Sequence, residues 1–491
     1  MLIFTLNREI YMWFDNLKEK RLWSYFNDIS SIPRESGNEE GVRRFLLKWA
    51  EKNGISAVQD RVGNVIMKKG ATPGYENCPA VALQGHMDMV CVKREGSKHD
   101  FRTDPIEIVC DGKYISAKDT SLGGDDGIAV ATMLDILSDD TLEHGPIECI
   151  CTVNEEVGLT GAFGLEEKYV SARQLINLDS EEENIFYIGC AGGVDVEATR
   201  AINRIKFDNS AYKAVDVEIS GLLGGHSGGD IHRMRANAIK VFGRYLSLLP
   251  QSRIVSAKGG TKRNVIPSHL KATILVCSIE QAMKAASKLQ EDLRVEYCKS
   301  DPDITITVKE NPEGLSDYTV PSSVNDHIKN ILICSPSGVQ AYSQTLPGLV
   351  ETSCNLAILD FGYEKAKVVY SVRSSIESAK LSVATTIRTL CESNGFTVEV
   401  GDGYPGWLPN PDSALTAKLA AEWEKYTGEK PEITAIHAGL ECGIINSKIE
   451  GMDSVSIGPN MYDIHSVNEK LDIASAEKML GFLRASIKDL K

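Results

Sequence analysis

Residues 147–158, IECICTVNEEVG, run from a mostly apolar segment directly into two adjacent glutamates. A short apolar run closed by a turn reads as a buried strand, and just past its end stand Glu155 and Glu156. Outward from this stretch the same texture recurs. Apolar runs at 63–67, 81–83 and 175–178 read as further strands. Between them lie helical periods. Val42, Phe45, Leu46 and Trp49 repeat at i, i+3, i+4 and i+7 ahead of Gly54, and Ile128, Ala131 and Leu134 share a face after a start near Asp126. Strands alternating with helices predict an α/β sheet. Polar residues gather just after the strands: His86 and Asp88, Glu155 and Glu156, and Asp179. In open α/β sheets, sites form beyond the carboxyl ends of strands.

Near residue 193 the texture changes. AVDVEISG (214–221) alternates strictly, and Met234, Ala238, Val241, Phe242 and Tyr245 trace one helical face. Strands are expected at 272–277, 304–308, 356–361 and 367–372, with a helix between Ser378 and Gly395. The strand–helix–strand order occurs twice, compatible with a duplicated α+β module. After the Gly- and Pro-rich GYPGWLPNPDS (403–413) the first texture returns. ITAIHAGLECGII (433–445) and MDSVSIGPN (452–460) read as strand-like, and a last helix carries Met479, Phe482, Leu483 and Ile487. The expected organisation is one domain split over 1–192 and 401–491, with 193–400 inserted at exposed loops. Residues 1–20 form an extension to the first part.

At 491 residues the chain exceeds one core. Its 53 Lys and Arg against 68 Asp and Glu leave a net charge of −15, which disfavours nucleic acid or an anionic membrane as partner. Twelve scattered cysteines without a CxxC pair suit reduced thiols in a cytoplasmic protein. The start has no basic segment before its short apolar patch and no small-residue cleavage site after it. No apolar run is long enough to span a membrane.

Six polar residues remain to be explained: His86, Asp125, Glu155, Glu156, Asp179 and His465. Singly, each has an ordinary explanation. A histidine after a strand is usually a hydrogen-bonded surface residue, paired glutamates usually sit in a solvated turn, and Asp125 with Asp126 would cap a helix. Together, mixed imidazole and carboxylate groups suit zinc, manganese or cobalt.

GHMDMV (85–90), LGGDDGIA (122–129), NEEVGLTGA (154–162), INLDSEE (176–182), GLLGGHSGGDIH (221–232) and IHSVNE (464–469) resemble the motifs of the M20 metallopeptidases. These are two-metal, aminopeptidase-like peptidases with an inserted lid domain. GYPGWLPNPDS, HAGLECG (437–443) and SIGPN (456–460) extend the likeness to the bacterial aminoacyl-histidine dipeptidases within that group, from about Leu22 to the C-terminus. The resemblance implies a two-domain α/β fold. A mixed-sheet catalytic domain would carry an α+β insertion that serves as lid and dimerisation domain, giving a homodimer.

It also implies roles. His86 and Asp179 would hold one divalent ion, Glu156 and His465 a second, and Asp125 would bridge them, with zinc, cobalt or manganese as the metals. A cis peptide would join Asp125 to Asp126, where close relatives often carry Asn. Asp88, two residues beyond His86, would orient its imidazole. Glu155 would remain off the metals as general base for the attacking water, so that the glutamate pair divides its work. His226 would donate to the oxyanion, from its own or a neighbouring subunit, and Arg373 would clamp a dipeptide carboxylate. Asn264 and Gly439 would contact substrate; His232, His437 and Glu441 receive no role. Asp rather than Glu at 179 points to unblocked dipeptides, including Xaa-His such as β-alanyl-histidine. The rivals are a tripeptidase, an N-acyl amino acid deacylase and a binding protein without catalysis.

Overall fold

The run at 147–153 becomes the strand Ile147–Thr152, buried along its whole length. It lies near the middle of an eight-stranded sheet in this computed structural model, which describes residues 12–490. The strand order is Ser56–Gln59, Val65–Lys69, Ile147–Thr152, Val81–His86, Gln174–Asn177, Asp453–Ser456, Ile185–Cys190 and Glu432–Ile436. The four strands from Ile147–Thr152 to Asp453–Ser456 pair in parallel, and antiparallel strands flank them. Parallel strands are covered on both faces, which explains their continuous apolar runs.

By its contacts the chain forms two compact units. The first comprises Met1–Ile188, Asn410–Ala435 and Ile444–Lys491; the second comprises Gly189–Pro409 and Ile436–Gly443. Residues 189–192, 401–409 and 436–443 therefore group with the second unit, whereas the sequence pattern left them with the first. In the first unit, Met12, Trp13, Phe14 and Leu17 of the expected extension pack on the core, with Trp13 edge-on to both Phe14 and Trp23. Residues 1–11 lie outside the described residues.

A buried charge joins three helices of this unit. Asp135, fully buried on the helix Gly124–Leu137, accepts from Arg21 Nε at 2.7 Å and from Arg484 Nη2 at 2.5 Å. Removing the acid leaves Arg21 on Asp139 at 2.9 Å and Arg484 on Glu19 at 2.8 Å, so each cation loses one partner and keeps another. Both arginines are also partly exposed, so Asp135→Ala is expected to cost about 1.5–3 kcal/mol, the worth of a hydrogen bond to a charged group, read from the denaturant midpoint.

The second unit is a nine-stranded sheet whose pairings are all antiparallel. The alternation of AVDVEISG is explained here. Val215, Val217 and Ile219 join the helices Ala238–Ser247, Ile279–Glu296, Ser322–Cys334 and Glu377–Ser393 in one core, while Asp216 and Glu218 face an open polar groove. Two local expectations fail. Met234 precedes its helix in left-handed backbone (φ 53°) and is exposed, because the helix starts only at the Asn237 cap. The second half of ITAIHAGLECGII forms the helix Glu441–Lys448 rather than a strand.

Candidate metal centre

Register brings the polar strand ends together. His86 pairs with Thr152 across one neighbour and Gln84 with Asn177 across the other, so His86, Glu155–Glu156 and Asp179 emerge at one sheet edge. Asp125 arrives at the start of the helix Gly124–Leu137, and its peptide bond to Asp126 is cis. His465 comes from a loop and, like Asn154 just before the glutamates, has left-handed backbone, with φ of 57° and 51°. Such non-glycine conformations concentrate at functional sites.

The geometry is two-sided. Asp125 Oδ1 lies 2.9 Å from His86 Nε2, and Asp125 Oδ2 lies 3.1 Å from His465 Nε2. On the first side Asp179 Oδ1 stands 3.4 Å from the same His86 nitrogen. On the second, Glu156 Oε1 is 3.0 Å from His465 Nε2. Each side thus offers three ligand atoms within 4.8 Å of one another. Glu155 lies within the same 4.8 Å of His86 and Glu156 in a third grouping.

Protonation shows what this cluster lacks. Burial pushes Asp179 up to about 6, with the Asp125 and Glu156 charges adding to it against the pull of His86. Burial, Asp125 and Asp179 push Glu181 up to about 8. Burial also opposes the Asp125 charge, but bonds from His465 and His86 hold its carboxyl well below the usual range. Bonds to Asp125 and Glu156 raise His465 to about 11. Burial alone would lower His86, yet Asp179 and its other acidic neighbours hold it well above its ordinary value. Crowded acids and charged imidazoles are what a cation-binding set becomes when protons stand in for the cations. Mixed nitrogen and oxygen donors around a shared carboxylate fit a pair of divalent ions.

Buried groups fix this set in place. Asp88 Oδ1 approaches His86 Nδ1 at 3.4 Å, an ion-pair distance rather than a closed hydrogen bond, which leaves Nε2 to face Asp125. Asp88 also accepts from the Glu155 and Glu156 amides at 3.1 and 3.4 Å, so one carboxylate positions both His86 and the glutamate pair.

Four further residues escaped the sequence reading. Glu469 accepts from the backbone N–H groups of Leu122, Gly123, Gly124 and Asp125. Fully buried Arg34 donates to the carbonyls of Met87 (3.2 Å), Asp88 (2.8 Å) and Gly123, tying the His86 and Asp125 segments together. Ser36 donates to Asp88, and Glu39 accepts from the Asn154 amide. All but Glu469 lie in IPRESGNEE (32–40), whose charged residues next to a proline were the available signal. Arg34→Met is expected to weaken zinc binding about 10–100-fold, measured by chelator competition.

The remaining predicted residues belong to the second unit. His226, in the short strand Gly225–His226, accepts at Nδ1 from the amides of Gly228 (3.3 Å) and Gly229 (3.0 Å). Its Nε2 therefore carries the proton and is a donor. Burial and Arg373 lower His226 from its usual value, keeping it neutral. The Asn264 carbonyl receives the Ser227 amide, so its backbone supports the His226 loop. Arg373 is 9% exposed, donates to Tyr404 Oη at 2.9 Å and has no acidic partner among the described residues. His437 belongs to the same cluster: burial and the Arg373 charge push it down to about 3, and its Nε2 lies 2.7 Å from Ser353 Oγ. Gly439 lies beside the Tyr404 ring, and a Cβ there would stand 3.0 Å from it.

Comparison with known proteins gives these positions a context. Residues 82–489 match the family described as Peptidase family M20/M25/M40. The cytosol non-specific dipeptidase of Escherichia coli K12 is 34% identical over 479 residues, covering 96% of this chain and 98% of that protein. The crystal structure of aminoacylhistidine dipeptidase from Vibrio alginolyticus superposes with a TM-score of 0.90 at 36% identity, covering 98% and 99% of the two chains. The aminopeptidase PepT of Bacillus cereus, at 17% identity, a TM-score of 0.56 and coverage of 96% and 99%, shares the fold. This chain belongs to the M20/M25/M40 peptidase family.

Proposed function

We propose that this protein is a metal-dependent dipeptidase that hydrolyses unblocked dipeptides, Xaa-His such as carnosine among them. The observation that carries the reading is Asp125, whose two carboxylate oxygens each face the imidazole of a separate ligand set. His86 and Asp179 would hold one ion and Glu156 and His465 the other, with Asp125 serving both sets; zinc is the first candidate, with cobalt or manganese as alternatives. The bound pair supplies the charge that makes water a usable nucleophile near neutral pH. Glu155 takes the proton of the attacking water and returns it to the leaving amine. Asp88 fixes His86 and the backbone of the glutamate pair. His226 Nε2–H donates to the oxyanion that develops at the scissile carbonyl. Arg373 receives the C-terminal carboxylate, and Asn264 and Gly439 contact the rest of the dipeptide.

A panel tests the substrate class: dipeptides, tripeptides and N-acetyl amino acids offered to the purified protein with zinc, manganese or cobalt. Dipeptide turnover is expected. Turnover confined to tripeptides, or to the acetylated set, replaces the reading by one of the two rivals, and turnover of none leaves a binding protein.

We also propose a homodimer formed through the second unit, for which sedimentation at micromolar concentration should give twice the chain mass. A cytoplasmic location is supported by twelve free cysteines and by the cytosolic relative. Among the described residues, no helix is long and apolar enough to cross a membrane.

A further inference from the structure

We propose that Tyr404 is a second hydrogen-bond donor for the substrate's C-terminal carboxylate, acting side by side with Arg373. This rests on the reading that Arg373 receives that carboxylate. A guanidinium has only donors, so in the 2.9 Å contact the tyrosine oxygen accepts and its own O–H must point elsewhere. Among the described residues no acceptor for that hydroxyl is found. Two neighbouring donors, one cationic and one neutral, therefore lack an anion. Such a pair matches the two oxygens of a carboxylate.

The tyrosine is held for this task from several sides. Its amide donates to the Gly193 carbonyl at 2.8 Å, and its own carbonyl accepts from the Gly193 amide at 3.1 Å and from buried Lys380 Nζ at 2.6 Å. The ring lies against two glycines. A Cβ would come within 2.7 Å of it at Gly193 and within 3.0 Å at Gly439. Gly439, expected to meet substrate directly, thus also makes room for the ring that meets Arg373. The chemistry around the pair is complementary to an anion. His226 and His437 are kept neutral beside the Arg373 charge, and among the described residues no acid forms an ion pair with it. Burial holds the phenol above its usual range, so its proton is in place at neutral pH.

The test compares Tyr404→Phe with the wild-type holoenzyme on a dipeptide and on the same dipeptide as its C-terminal carboxamide. The substitution keeps the ring and its packing and removes only the hydroxyl. A hydrogen bond to a charged group corresponds to about 10–100-fold in affinity. KM for the dipeptide should rise by that factor with kcat much less affected, while KM for the carboxamide changes little. A KM equal to wild type, or an equal rise for acid and carboxamide, overturns the inference; the second result would mean that the hydroxyl serves only to shape the fold. If wild-type protein neither turns over nor binds dipeptides, the functional reading fails and this inference falls with it. If wild type is active and the variant matches it, this inference alone fails.

Discussion

Glu155→Ala lowers dipeptide turnover by a factor on the order of 10² to 10⁴ while both metal equivalents stay bound. The split follows from the geometry around the glutamate pair. Glu156 faces His465 at 3.0 Å and belongs with Asp125 in the second ligand set. Glu155 shares a grouping with His86 and Glu156 but not with Asp125. The two amides are pinned to a single carboxylate, Asp88, so their side chains are fixed relative to each other and to His86. Removing the Glu155 carboxylate deletes a proton acceptor and leaves the five other donors untouched. Metal content and turnover are measured on the same sample. Loss of one equivalent of metal would make Glu155 a ligand; turnover within about tenfold of wild type, well short of what a general base contributes, would remove it from the base role.

Metal binding should be strongly pH-dependent and should release protons. In the metal-free chain at pH 7, His86 is held well above its ordinary value and His465 at about 11, so both imidazoles carry a proton that an incoming ion must displace. One proton released per ion changes affinity by about tenfold per pH unit, so zinc should bind roughly 100-fold more weakly at pH 6 than at pH 8. Near pH 6 the Asp179 carboxyl, pushed up to about 6, adds to the loss. Titration calorimetry in buffers of different ionisation enthalpy counts the protons directly. A flat affinity between pH 6 and 8, with no proton released, would contradict this arrangement.

The same shifts set the stability of the stripped protein. The folded value of His465 lies above its unfolded one, so its contribution is complete below about pH 6.5 and is lost as pH rises toward about 11. Chelator-treated protein should therefore melt at lower temperature as pH is raised from 7 to 9. Zinc-loaded protein should not, because the ions replace the displaced protons and bind tighter as pH rises.

Much of the first unit could be read from local pattern. The runs at 81–83, 147–153 and 175–178 each became a strand of the parallel core, and the helical period after Asp126 became the helix Gly124–Leu137. Apolar period is set by burial on one or both faces of an element, and that burial is recorded residue by residue. Where the period is ambiguous, reading failed. Met234 fits a helical repeat by spacing alone, and GLECGII is as apolar as a strand although it folds as a helix. The structure also gathers the six candidate residues, whose chemical types and strand-end positions were visible beforehand.

What the chain alone determined is thus the alternation of elements, the inserted second texture and the chemical types placed at strand ends, since each depends on neighbours a few residues apart. Tertiary structure alone decided that Asp125 presents one oxygen to each histidine, that Arg34 and Glu469 brace its loop from opposite ends of the chain, and that Tyr404 reaches Arg373. It also decided that 436–443 packs with the second unit. These depend on packing and strand register between segments far apart in sequence, and no local period carries that information.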